Sequence, residues 1–158
     1  MNKVTIEEIP WEESKSPTGK FQSRSRNISL ALGGKRDIGL WGGGHPFDLQ
    51  MRSVPPGASV CLFHAHAVQW ELFVALKGEA TIRSNEEKHA VKAGDAFIQP
   101  PGTAHQITNT GREDFVFYVI ADHSQSDSTY YPDSKKWMLK PQRKIFRMTE
   151  VDYFDGED

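Results

Sequence analysis

The sequence has little that would tie the chain to a membrane or to a disulfide framework. Its single cysteine, Cys61, excludes an internal disulfide and a zinc site built from several thiolates. No apolar run approaches the roughly 18 residues that a membrane-spanning helix needs. The acidic N-terminal segment lacks the apolar stretch of a secretory signal peptide. We therefore expect a cytoplasmic protein with no membrane partner.

The chain also lacks an excess of positive charge. Its 158 residues include 19 lysines and arginines against 21 aspartates and glutamates, which gives a formal net charge of −2. Because proteins bind nucleic acids mainly through basic surfaces that neutralise phosphates, we expect no nucleic-acid partner. Hydrophobic residues make up 37% and charged residues 25% of the chain, proportions that are typical of a folded globular domain.

The middle of the chain is a succession of short apolar segments separated by turn sequences such as Pro55–Gly57 and Pro100–Gly102. Strands repeated at intervals of roughly 8–12 residues, without a sustained helical period, indicate an antiparallel β-sandwich or barrel. We expect an extended N-terminal arm over residues 1–26, an all-β barrel over residues 27–122, and a C-terminal extension packed on the barrel over residues 123–158.

Histidine and glutamate occur at spacings that can bring them together. His64 and His66 are two positions apart, so both side chains point to one face of a strand. Glu71 has the opposite parity, and a bulge or turn within residues 67–70 would return it to that face. His105 follows a Pro-Gly turn before a later strand. Three imidazoles and a carboxylate inside an apolar barrel indicate a divalent transition metal (Fe, Mn, Zn or Ni) with open coordination positions.

These residues belong to two groups with fixed spacing. The first group is Gly57, His64, His66, Glu71 and Gly78, and the second is Gly94, Pro100, Gly102, His105 and Asn109. Residues 57–109 thereby resemble the two motifs of the cupin superfamily, with one extra residue between Gly57 and His64. The resemblance implies a double-stranded β-helix, or jelly-roll barrel. The metal ligands that it implies are His64, His66, Glu71 and His105.

Weaker similarity extends into both flanks of the motif region. Residues 10–11, 29–33 and 131–134 look like the matching segments of small bacterial single-domain cupins that have no assigned reaction. Barrels of this kind commonly form dimers, and the outward-facing Leu72 and Leu76 would then be covered. We therefore expect a homodimer.

Strand alternation selects the residues that face the interior. The predicted substrate pocket consists of Phe73, Phe97, Gln99 and Tyr118. A buried amide such as Gln99 needs a hydrogen-bonding partner, for which a ligand or metal-bound water is suited. For Tyr118 the alternation leaves the opposite register open, in which Phe117 and Val119 face inward.

Other polar residues are interpreted as structural. Asn109 is expected to satisfy backbone groups in a turn. Cys61 lies an odd number of residues before His64, so strand alternation directs it away from the metal. His123 has no partner at ligand spacing and is expected on the surface or in a loop.

The open metal positions favour a metal-dependent enzyme that acts on a small organic acid, sugar or sulfur compound. The resemblance to cupins implies that it is a dioxygenase, isomerase, decarboxylase or epimerase. No acid or base besides Glu71 stands out near the motifs, so no catalytic residue is assigned. A pocket lined by phenylalanine with few charges disfavours a phosphosugar. Two alternatives remain: a non-catalytic module that binds a sugar or metabolite, and a barrel that its metal only braces.

Overall fold

A computed structural model describes residues 1–36, 38–124, 126–140 and 142–157 of the chain. Its strands, in chain order, are β1 (Glu12–Lys15), β2 (Gln22–Asn27), β3 (Phe47–Val54), β4 (Ala65–His66), β5 (Glu71–Lys77), β6 (Glu79–Ser84), β7 (Glu87–Lys92), β8 (Ala96–Gln99), β9 (His105–Thr108), β10 (Phe115–Asp122), β11 (Ser128–Tyr131), β12 (Lys136–Leu139) and β13 (Lys144–Phe146). One short helix, α1, spans Ile28–Ala31, and single 3₁₀ turns occur at Ile6–Glu8, Leu40–Gly42 and Pro132–Ser134.

The strands form three antiparallel sheets. The six-stranded sheet has the order β1-β2-β3-β10-β5-β8, and the three-stranded sheet has the order β7-β6-β9. The buried apolar cluster draws side chains from both, including Phe73 and Phe117 from the first and Ile82 and Ile107 from the second. The core therefore lies between two facing sheets, and the predicted jelly-roll class is confirmed.

Strand β10 shows how the sequence determines the two faces of the larger sheet. Its residues alternate along the whole strand: Phe115, Phe117 and Val119 are buried, whereas Tyr118 is more exposed. The register that places Phe117 and Val119 inside is therefore the one adopted. On the outer face of the neighbouring β5, Leu72 remains 39% exposed in the single chain.

Two motif residues are required by the turns in which they lie. Gly78 has a φ of +76°, and a Cβ at this position would lie 2.7 Å from the Asp114 carbonyl oxygen. Asn109 is fully buried, and its Nδ2 donates to the carbonyl oxygens of Val54 and Glu113 at 2.7 and 2.8 Å. The expectation that Asn109 satisfies turn backbone groups is confirmed.

Both flanks of the motif region add strands. The N-terminal arm contributes β1 and β2, and β2 pairs with β3 at the edge of the six-stranded sheet. The C-terminal extension forms a third sheet with the order β13-β12-β11-β4, in which Thr129 pairs with His66. Within this extension Gln125, Pro141 and Asp158 lie outside the described residues. No helix in the described ranges is long and apolar enough to cross a membrane.

Removal of the Phe115 ring tests the proposed core. Phe115 is fully buried, so Phe115→Ala should lower the free energy of unfolding by about 3–5 kcal/mol, because it loses apolar burial and leaves a cavity. The matched control is Phe154→Ala, since Phe154 is 60% exposed. Chemical denaturation should show a change below about 0.5 kcal/mol for the control. Equal losses for the two variants would be inconsistent with the core described above.

Candidate metal centre

The first two histidines are held where two sheets meet. The His64 backbone N–H donates to the His105 carbonyl at 3.1 Å, and the His105 N–H donates back to His64 at 2.8 Å. His66 lies in β4 and pairs with Thr129 of the C-terminal extension. Residues 67–70 form a bend between β4 and β5, which agrees with the predicted bulge or turn, and Glu71 then begins β5. The backbone pair between His64 and His105 and the interruption at residues 67–70 therefore bring these histidines and Glu71 close together.

The side chains of these residues converge on one point. The ligand atoms of His64, His66 and Glu71 all lie within 4.8 Å of one another. Glu71 Oε2 also lies 2.9 Å from His105 Nε2 and 3.8 Å from His66 Nε2. Metal–ligand bonds of about 2.1 Å allow donor atoms to be up to about 4 Å apart, so the cluster is close to the size that a bound ion requires. All three imidazoles are buried.

Each imidazole uses its Nδ1 atom to bind an oxygen that can only accept a hydrogen bond. Nδ1 of His64 lies 2.9 Å from the Leu62 carbonyl, and Nδ1 of His105 lies 3.2 Å from the Thr103 carbonyl. Nδ1 of His66 lies 2.6 Å from the Asp127 carboxylate. Because these oxygens are acceptors, the proton of each neutral ring is on Nδ1, and the Nε2 lone pairs are left for the centre.

Glu71 supplies the negative charge at this centre. Its Oε2 atom is buried and has no aligned hydrogen-bond donor among the described residues, although His105 Nε2 lies 2.9 Å away. Burial acts to raise the pKa of Glu71, but contact with His105 and positive charge on His105, His66 and His64 outweigh burial and lower the pKa to about 2. A bound cation would supply the same positive charge while leaving the imidazole rings neutral. This arrangement fits a divalent cation, because a cation would satisfy every one of these atoms.

Asp127 is a site residue that the sequence analysis missed. Its side chain is 1% exposed, its Oδ1 accepts the Val68 backbone N–H at 3.2 Å, and Lys140 Nζ lies 3.6 Å from its Oδ2. Burial opposes ionisation of Asp127, but the hydrogen bond and charge of His66, the Val68 N–H and the charge of Lys140 together outweigh it and lower the carboxyl pKa. No local pattern marks Asp127, since it reaches His66 only through the pairing of β11 with β4.

A cavity of about 340 Å³ opens beside the converging residues. Its apolar wall comes from the core and consists of Val60, Phe73, Ile107, Phe117 and Val119. Its charged and polar wall includes Asp48, Gln50, Arg52, Lys140 and Arg143. The expectation of few charges in the pocket is therefore wrong, because β3 and the C-terminal extension both contribute ionic side chains.

Of the four predicted pocket residues, the structure brings Phe73 to the cavity. Phe97 stacks on Phe73 with ring centroids 4.8 Å apart, and the cavity wall does not include it. Gln99 is buried opposite Glu71 on β8, the edge strand beyond β5, and β8 contributes no lining residue. Tyr118 points to the outer face of β10. The alternation of side chains along a strand indicates which residues face the interior, but it does not show which strands border the cavity.

Two further residues line the cavity although the sequence analysis placed them elsewhere. The segment before His64 is not a regular strand, so alternation does not apply to Cys61, and its Sγ lies 3.6 Å from His64 Nδ1. His123 lies in the loop after β10, and its side chain also lines the cavity. Tyr131 enters from β11, within a segment that the weaker family similarity had marked. Burial raises the pKa of the Tyr131 phenol, which therefore stays protonated at neutral pH.

Comparison with known proteins agrees with this architecture. Residues 50–121 match the family described as Cupin domain. The oxalate-binding protein of Thermotoga maritima is 37% identical over 67 residues, which are 42% of this chain and 54% of that protein. The matched region spans about half the length of the curated relatives.

Solved structures resemble a larger part of the chain. A sugar phosphate isomerase from Silicibacter pomeroyi superposes with a TM-score of 0.76 at 20% identity, covering 96% of this chain and 97% of that one. A predicted oxalate decarboxylase from Thermotoga maritima gives a TM-score of 0.62 at 25% identity, covering 77% of this chain and 99% of that one. These similarities establish the fold.

The imidazole tautomers can be measured directly. In metal-free protein, at a pH where the rings are neutral, ¹⁵N NMR should find the proton on Nδ1 in His64, His66 and His105, because each Nδ1 faces an acceptor oxygen. Asp127→Ala should remove the preference for the Nδ1 proton in His66 and leave it in the other two rings. Asp133→Ala, on the same extension, is the matched control and should change none of the three. A proton fixed on Nε2 in these rings would show that the donor arrangement described here is wrong.

Proposed function

Because the chain belongs to the cupin superfamily, we propose that it is a metal-dependent enzyme acting on a small organic acid. The observation that carries this proposal is the convergence of imidazole Nε2 atoms on a buried, ionised Glu71 oxygen without a hydrogen-bond partner. A core of purely structural purpose would satisfy or avoid such atoms, since unpaired buried polar groups are costly.

The residues that would hold the ion are His64, His66, Glu71 and His105. Neutral imidazole and carboxylate suit Fe, Mn, Zn and Ni, which leaves the identity of the metal to experiment. When bound, the metal would supply a Lewis acid for the oxygen atoms of a ligand. With four protein ligands, an octahedral ion keeps two positions for that ligand, and the cavity lies beside them.

Size and charge support an organic acid as the ligand. The cavity holds only a small molecule, and cationic side chains such as Arg52 and Lys140 favour an anion. The names of two similar proteins, an oxalate-binding protein and a predicted oxalate decarboxylase, refer to a small carboxylate. The charged wall also suits a phosphorylated ligand. The name of the similar sugar phosphate isomerase refers to such a ligand, which is an anion as well.

Tyr131 is the group that we propose carries a proton. It lines the cavity with its ring centroid 6.2 Å from that of His64, and among the described residues its hydroxyl makes only a long contact of 3.9 Å with Met138 Sδ. A protonated phenol with this weak partner can donate to an oxygen of a bound acid. Glu71 would be committed to the metal, so Tyr131 fills the role for which the motifs supplied no residue.

A second candidate function is binding without catalysis, which the name of the oxalate-binding relative favours. The two functions differ at Tyr131. For an enzyme, Tyr131→Phe should reduce turnover of the acid and leave its affinity nearly unchanged. For a binding protein, no reaction occurs and the variant alters affinity alone.

Elemental analysis tests the proposed function. Tag-free protein should contain close to one equivalent of Fe, Mn, Zn or Ni, and His105→Ala should lose most of it, because a ligand is removed. His89→Ala is the matched control, since His89 is exposed on β7. Metal-loaded protein, but not chelated protein, should bind glycolate in calorimetry. Folded wild type without metal after reconstitution, or glycolate binding that is independent of metal, would eliminate the proposal.

A further inference from the structure

Strand β3 carries a chain of three polar side chains along the cavity wall. Asp48, Gln50 and Arg52 occupy alternate positions, so all three point to the same face of the strand, and all three line the cavity. Gln50 Nε2 donates to Asp48 Oδ2 at 2.6 Å, and Arg52 Nε donates to Gln50 Oε1 at 3.1 Å. Each side chain therefore positions the next, and Arg52 is at the end of the chain.

The Arg52 guanidinium is held through one nitrogen while two remain available. Its Nε bond fixes the plane of the group, and within the described part of the chain the terminal nitrogens make no hydrogen bond to protein. The side chain is partly buried. A guanidinium offers paired parallel donors that match the two oxygens of a carboxylate or phosphate. A partly buried arginine that is positioned in this way and lacks an anionic partner is suited to bind one from a ligand.

Arg52 lines the same cavity as the candidate metal ligands His64, His66, Glu71 and His105. Cys61 also lines this cavity, and its Sγ lies 3.6 Å from His64 Nδ1. One small molecule can contact both the guanidinium and the centre.

The other cations of the cavity are placed differently. Lys140 Nζ donates to Gln69 Oε1 at 3.1 Å and lies 3.6 Å from the Asp127 carboxylate. Its positive charge is therefore paired with Asp127 in the C-terminal extension. Arg143 is exposed at the rim. Of these cations, Arg52 is the one whose guanidinium is held at the cavity wall by other side chains, those of Gln50 and Asp48.

We propose that Arg52, positioned by Gln50 and Asp48, binds a second anionic group of the ligand, whose first end coordinates the metal. This inference rests on the proposed function. The ligand is then a small dianion: an acid with a chelating head and, a few bonds away, a second carboxylate or a phosphate. A ligand with one anionic group leaves the Arg52 donors to water.

Matched ligands separate the two ends of the dianion. Zinc-loaded full-length protein is titrated by calorimetry with 2-hydroxybutanoate, malate and 3-phosphoglycerate, which share an α-hydroxy-acid head. Malate replaces the terminal methyl group by a carboxylate, and 3-phosphoglycerate carries a phosphate. Wild type should bind at least one dianion about tenfold or more tightly than 2-hydroxybutanoate, since charged hydrogen bonds add affinity. The preferred dianion identifies the second group.

Arg52→Gln should abolish that preference, because it should weaken binding of the preferred dianion about tenfold more than binding of 2-hydroxybutanoate, and zinc content should stay close to that of wild type. Arg112→Gln, the same change at an exposed loop residue, is the control and should keep the preference. If Arg52→Gln does not fold, Arg52→Lys replaces it and should lose most of the preference, because lysine lacks the paired donors.

The possible failures are distinguishable. The role of Arg52 is overturned if wild-type protein prefers neither dianion, or if the Arg52 variant retains the preference. In either case, metal-dependent binding of 2-hydroxybutanoate would still support the proposed function. Wild-type protein that binds none of the three acids when loaded with zinc overturns both.

Discussion

Three imidazoles that each donate an Nδ1 proton to a fixed oxygen determine what the rest of the site can do. The oxygens are two backbone carbonyls, of Leu62 and Thr103, and the Asp127 carboxylate. Since these acceptors favour the Nδ1 tautomers, the Nε2 atoms are directed towards the buried Glu71 carboxylate, and a divalent cation would bind all of these atoms favourably. The jelly roll supplies the frame, because its facing sheets bring residues from separate strands to one end of the core.

The C-terminal extension completes the site that the barrel begins. Strand β11 pairs with β4 and places Asp127 against His66, while Tyr131 closes one wall of the cavity. The opposite wall belongs to β3, where the Asp48–Gln50–Arg52 chain directs a guanidinium inward. Apolar packing from Phe73 and Phe117 lies between the polar walls. The ligand is therefore expected to meet a metal, a cation and a phenol in a partly desolvated space, where charge interactions are strengthened.

Local spacing predicted the parts of the molecule that depend on local geometry. The two-residue step from His64 to His66 and the interruption before Glu71 follow from strand periodicity, and the fold class follows from the number of short strands. Alternation failed at Cys61, because the chain there is irregular. Alternation predicted Phe97 in the pocket, but β8 lies beyond β5 and the cavity wall does not include this side chain. Asp127 is contributed by a strand pairing that joins residues far apart in sequence, and no sequence pattern indicates such a pairing.

X-ray absorption spectroscopy of metal-loaded protein tests the central claim most directly. Imidazole rings bound through nitrogen give characteristic outer-shell scattering, so the number of coordinated histidines can be read from the spectrum. The account predicts about three imidazoles together with oxygen ligands, at metal–nitrogen distances of about 2.0–2.1 Å if the metal is zinc. A coordination shell of oxygen alone, without imidazole scattering, would contradict it.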